Sequence, residues 1–177
     1  MSSKSTMNPS GGADSRHVME RYPLNSVTVA QVLERENLQK AWKQVKANKG
    51  APGTDNISIE EFPEYVFKHW EGIKAALLEG TYVPSPVKRV EIPKDSGGTR
   101  PLGIPTVMDR LIQQAISQVL TPIFDPHFSN DSYGFRPNRS AHQAVSKVVK
   151  DMGEGYRYAV DIDLEKFFDN VPQDKLM

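Results

Sequence analysis

Cysteine is absent from the 177-residue chain. That excludes a disulfide framework, a thiolate zinc site and a cysteine nucleophile. It also agrees with a cytoplasmic location, the one expected here. An excess of one charge is absent too, since 22 Lys and Arg stand against 22 Asp and Glu. A histone-like or tail-like nucleic-acid binder is thereby excluded. No apolar run approaches the about 20 residues that a membrane helix needs, so no membrane partner is expected. The first residues carry no apolar signal-peptide core. There is no Walker loop, no Gly-x-Gly-x-x-Gly, no nucleophile elbow and no internal repeat. What is present is 38% apolar and 25% charged residues. That suffices for a packed core and is too apolar for a wholly disordered chain. The length favours one domain or a little more.

The zero net charge conceals a split. Residues 1–80 hold ten cations and ten anions. Residues 81–150 hold nine cations and five anions, net +4, and residues 151–177 hold three and seven, net −4. The middle block suits phosphates and the last block suits metal ions, although ordinary surface variation produces similar differences.

Residues 1–25 are rich in Ser, Gly, Asn and Pro without periodicity, and read as a disordered leader. From Val27 to Asn48 the pattern is helical, with Leu38, Trp42 and Val45 on one side and Asn37 as the expected N-cap. Ala51–Asn56 is dense in turn formers. A second helix fits residues 59–79, with Phe62, Val66, Trp70, Ile73 and Leu77 inward and Pro63 tolerated in its first turn. Val87–Pro93 and Thr99–Ile104 read as strands around a hairpin tip at Lys94–Gly98. A helix is expected from Val107 to Leu120, stopped by Pro122, with Ile112, Ala115, Ile116, Val119 and Leu120 inward. A long loop covers 122–139. Ser140 caps the next helix, whose expected buried face is Ala141, Val145, Val148 and Val149. Tyr156–Leu164 reads as a final strand.

On that strand Asp161 and Asp163 share one face, because side chains alternate. Paired carboxylates suit a hard cation such as Mg2+, and suit equally an exposed strand end bearing two solvated acids. At the hairpin, the turn brings Lys94 and Arg100 close, which fits a triphosphate or simply a basic hairpin. The loop Ser132–Arg139 interleaves aromatics with Arg136 and Arg139. Such mixtures stack on bases and pair with phosphates. Tyr133 and Phe135 read equally as aromatics buried to pin the loop. His69, His127 and His142 lack partners at metal spacing.

Several blocks, in order, resemble bacterial group II intron reverse transcriptases. They are Arg89–Lys94, Arg100–Thr106, Asp109-Arg110 with Gln113-Gln114-Ala115, Ser132–Pro137 and Asp163–Asp169. Upstream, Asn48–Asp55 resembles the N-terminal extension of these enzymes, so the resemblance spans about residues 30–177. It implies an α+β fold, a right-hand polymerase's fingers with the first part of the palm, helix-rich with a β-hairpin. The implied division is a leader over 1–25, a helical N-terminal extension over 26–80, fingers over 81–154 and the start of the palm over 155–177.

The resemblance implies that Asp163 is the first catalytic aspartate and a Mg2+ ligand, joined by the backbone carbonyl of Leu164. Asp161 has no counterpart in the family. Lys94 and Arg100 match the cations that hold the incoming triphosphate. Phe168 matches the residue beneath the nucleotide sugar that excludes a 2′-hydroxyl. Tyr133, Arg136 and Arg139 fall in a block associated with template binding. The implied partners are an RNA template, a DNA primer, deoxynucleoside triphosphates and group II intron RNA. The family's second carboxylate motif lies beyond Phe168 and is not among these residues, so the chain by itself is expected not to polymerise. The alternatives are an RNA-binding maturase module that assists splicing without DNA synthesis, and a non-functional remnant.

Overall fold

The computed structural model describes residues 27–95, 97–164 and 167–172. The leader reading over 1–25 lies outside them. The chain divides into two compact units, the first ending at Phe128 and the second beginning at Ser129.

In the first unit the order is α1 (Val29–Val32), α2 (Arg35–Ala47), α3 (Phe62–Glu79), β1 (Lys88–Pro93), β2 (Thr99–Ile104) and α4 (Val107–Phe124), followed by a 3-10 turn at Asp125–His127. The single helix expected over 27–48 is two. Thr28 caps α1 through a reciprocal exchange with Gln31, and the chain breaks at Leu33 and Glu34 before α2 starts. Asn37 is therefore no N-cap. Its amide donates to the carbonyls of Val32 (2.8 Å) and Ala115 (3.0 Å). Gln118 returns two bonds to Asn37, at 3.0 and 2.7 Å. A side chain with both donors and acceptors thus ties α1, α2 and α4 together, a long-range role that local sequence cannot signal.

Ser58 and Glu61 exchange hydrogen bonds just before α3, and Pro63 sits in the first turn, where no donor is missed. Gly80 ends the helix in the left-handed conformation, φ 70°. Pro122 does not stop α4, which continues to Phe124. Proline forfeits one ladder bond close to the helix end, while the helix is anchored by its buried face from Val107 to Ala115. The core gathers Val32, Ala41, Val45, Ile59, Phe62, Val107, Met108, Leu111, Ile112 and Ala115. Trp42 and Trp70 pack against it, with the Trp42 ring 4.9 Å from that of Phe62. Ile116, expected inward, is exposed.

The second unit contains α5 (Ala141–Gly153) and a 3-10 turn at Phe168–Asn170. Ser140 caps α5 in a capping box with Gln143, as its sequence predicts. Its expected buried face is not buried, because Val145, Val148 and Val149 are exposed. The strand expected over Tyr156–Leu164 is not formed, and the segment pairs with no ladder. Alternation marks a residue's fitness for a sheet, but a strand exists only when a neighbour takes its hydrogen bonds. Among the described residues, no helix is long and apolar enough to cross a membrane.

Candidate functional site

The predicted hairpin forms with a defined register. Lys88 lies opposite Ile104, Val90 opposite Leu102, Ile92 opposite Arg100 and Pro93 opposite Thr99. Directly opposed residues share a face, so Arg100 stands with Val90, Ile92, Leu102 and Ile104, and Lys94 follows in the same alternation. At the tip the Lys94 amide donates to the Gly98 carbonyl and the Gly97 amide to the Lys94 carbonyl, both at 3.0 Å. Gly97 and Gly98 adopt φ of 90° and 78°, where only glycine sits without strain. The fold thus brings Lys94 and Arg100 to one end of one hairpin, both exposed. On the opposite face, hydrogen bonds from Thr99 and Arg89 hold the Glu91 carboxyl below the usual carboxylate range.

The hairpin is footed on a buried carboxylate that sequence reasoning gave no role. Asp109 is 3% exposed. It accepts from the Tyr82 hydroxyl (2.8 Å), the Ser85 amide (3.2 Å) and the Thr106 hydroxyl (2.6 Å), and the Thr106 hydroxyl in turn caps α4 by accepting from the Asp109 amide. Burial, and then the Asp109 carboxylate beside it, push the Tyr82 phenol above its ordinary range. The segment Asn48–Asp55 completes the footing. Thr54 donates to the Pro86 carbonyl (2.9 Å), and Arg110 donates to the Ala51 carbonyl (2.9 Å). The Arg110 guanidinium occupies the space where a Gly50 side chain would stand. A Cβ on Gly53 would lie 2.7 Å from the backbone of Thr106. Gly53 reads in sequence as a turn former and Gly50 as the residue after a helix end; in the fold both serve close approach.

In the second unit the Tyr133–Arg139 loop is tied to itself. The Arg136 guanidinium donates to the carbonyls of Ser129 (2.6 Å) and Ser132 (3.0 Å). Arg139 donates to the Asn130 carbonyl (3.1 Å) and lies 5.6 Å from the centre of the Tyr133 ring. Tyr133 is half-buried. Phe135 is not: its relative exposure is 112%, which overturns its reading as a buried pin. Farther along, the exposed Asp163 carboxylate accepts from the Leu164 amide at 2.9 Å. Phe168 is exposed, its ring 5.3 Å from that of Phe167 in an edge-on arrangement.

Asp163 and the Leu164 carbonyl offer the hard oxygen donors that Mg2+ prefers, and Mg2+ is commonly held by one or two carboxylates with water and phosphate completing the shell. Among the described residues, no group of three His, Asp or Glu could hold a metal. The donor chemistry thus fits that ion, with fewer than three side-chain ligands among the described residues.

Comparison with known proteins defines the class. Residues 92–177 match the family described as reverse transcriptase (RNA-dependent DNA polymerase). Protein YkfC of Escherichia coli (strain K12) is 37% identical over 152 residues, covering 82% of this chain and 40% of that protein. Group II intron-encoded protein LtrA of Lactococcus lactis subsp. cremoris is 40% identical over 134 residues, 74% of this chain and 22% of that protein. Nuclear intron maturase 1, mitochondrial, of Arabidopsis thaliana is 30% identical over 73 residues, 41% of this chain and 10% of that protein. The chain belongs to the family of group II intron reverse transcriptases and maturases. It spans less than half the length of these relatives.

Proposed function

We propose that the natural protein is an RNA-directed DNA polymerase of the group II intron type. The observation that carries this is the reverse transcriptase match over residues 92–177, within which Asp163 stands as an exposed carboxylate. In this reading residues 26–80 are the N-terminal extension, 81–154 the fingers and 155–177 the start of the palm. Asp163 and the Leu164 carbonyl hold Mg2+. When bound, Mg2+ would supply Lewis-acid chemistry as one of the two ions of a two-metal-ion transfer, one at the primer 3′-hydroxyl and the other at the pyrophosphate leaving group. Lys94, a point charge, and Arg100, with two parallel donors, grip the triphosphate. The primer 3′-hydroxyl gives up its proton to water, its oxygen bonds to the α-phosphorus, the bond from that phosphorus to the oxygen bridging to the β-phosphate breaks, and pyrophosphate leaves. Phe168 lies beneath the sugar and excludes a 2′-hydroxyl. Tyr133, Arg136 and Arg139 line the path of an RNA template paired to a DNA primer.

A second reading is an RNA-binding maturase module that recognises group II intron RNA without making DNA. It is favoured by the maturase among the relatives. Asp163→Asn in the natural full-length protein separates the two. The polymerase reading predicts that RNA-templated primer extension is lost while RNA affinity is kept. Extension that survives the substitution would overturn the role given to Asp163.

A further inference from the structure

We infer that Phe135 is a stacking platform for an unpaired base of single-stranded RNA. The inference rests on reading the chain as an RNA-handling protein, and it assigns one side chain a contact that the resemblance leaves open. Phe135 is fully exposed, at 112% of its reference area. It is also held at φ 55°, a region that is costly for a bulky residue and persists only where the surroundings impose it.

The surroundings do impose it. The Arg136 bonds to Ser129 and Ser132, the Arg139 bond to Asn130, and the Arg139 amide bond to the Arg136 carbonyl (3.4 Å) lace the loop on both sides of Phe135. Asn138 takes a second positive φ, 59°. Tyr133 lies under the Arg139 guanidinium, whereas the Phe135 ring is open to solvent. The loop thus spends its internal bonds on presenting one aromatic ring with open space next to it.

The composition of the loop favours a base over a protein surface as the occupant. Residues 132–139 contain two arginines and no acid, and Pro137 is their one aliphatic side chain. A protein contact centred on Phe135 would gain little from such neighbours, whereas a nucleotide brings both a π-face for the ring and a phosphate for the cations. Sequence preference is not expected, because every base has a π-face.

The test measures binding of a labelled, unstructured single-stranded RNA, with a duplex RNA as control, on the whole protein. Phe135→Ala should weaken single-strand binding about tenfold, the size of one lost stack, and leave duplex binding unchanged. The slope of affinity against salt should not move, since no charge is lost. Phe135→Trp should retain affinity, and its added indole emission should be quenched by the RNA. Phe135→Leu should bind as weakly as Phe135→Ala. Wild-type affinity in Phe135→Leu would mean that the ring serves apolar packing against protein, which overturns the inference. Unchanged affinity in Phe135→Ala overturns it as well, while RNA binding itself stands. If the wild-type protein does not bind RNA, the functional reading fails and the stack with it.

Discussion

Gly53 touches the backbone of Thr106 so closely that a methyl group there must displace the start of α4, whereas the position of a Cβ on Gly72, in α3, is open. The two glycines therefore respond oppositely to alanine. Gly53→Ala should destabilise by about 1–3 kcal/mol, the usual cost of overpacking. Gly72→Ala should stabilise by about 0.5–1 kcal/mol, the helix-interior penalty of glycine removed. Urea midpoints of both variants check this, and a neutral Gly53→Ala would contradict the tight footing. Tyr82 gives a pH test. Its phenol stays protonated past its ordinary value of 10.0, because it is buried and bonded to Asp109. Stability from this group is full below the unfolded value and is lost as pH rises past it. The melting temperature should fall more steeply above about pH 10 in the wild type than in Tyr82→Phe, and equal slopes would contradict the buried pairing.

The hairpin, α3 and the capped start of α5 were legible in the sequence because their determinants are local. Alternation and two glycines specify the tip, Pro63 and Gly80 bracket a helix, and Ser140 with Gln143 forms a capping box. The break between α1 and α2 was not legible, since Asn37 is committed to Val32 and Ala115 across the fold. Nor was the absence of a strand over Tyr156–Leu164, where the alternation finds no hydrogen-bonding neighbour among the described residues. The exposure of the α5 valines was not legible either, since helical spacing marks an apolar face whether or not it is covered. Of the candidate site, the placing of Lys94 and Arg100 at one end of the hairpin could be read from the turn, but the Asp109 footing could not, because its partners are Tyr82, Ser85 and Thr106. Since Arg100 is exposed at the hairpin end and supports no core, Arg100→Ala should spare folding. In the full-length protein it should raise the nucleotide KM or lower kcat several-fold at unchanged template affinity, measured by steady-state extension and RNA binding. A uniform loss of template binding would instead make Arg100 an RNA contact.

At the scale of the molecule, the charge split follows the proposed division of labour. The net +4 over residues 81–150 contains the hairpin and loop cations, and the net −4 over 151–177 contains Asp163. Lys94 and Arg100 fall in the first unit, and Tyr133, Arg136, Arg139, Asp163, Leu164 and Phe168 in the second. The chain spans 40% of one relative and 22% of another, and the catalytic proposal is tested on the whole protein. That protein, given a primed RNA template and deoxynucleoside triphosphates, should make complementary DNA when Mg2+ is present. Chelation should stop synthesis and restored Mg2+ should recover it, while Asp163→Asn should make no product at any Mg2+ concentration. A wild-type protein that binds the primed RNA and makes no DNA with Mg2+ present would contradict the account.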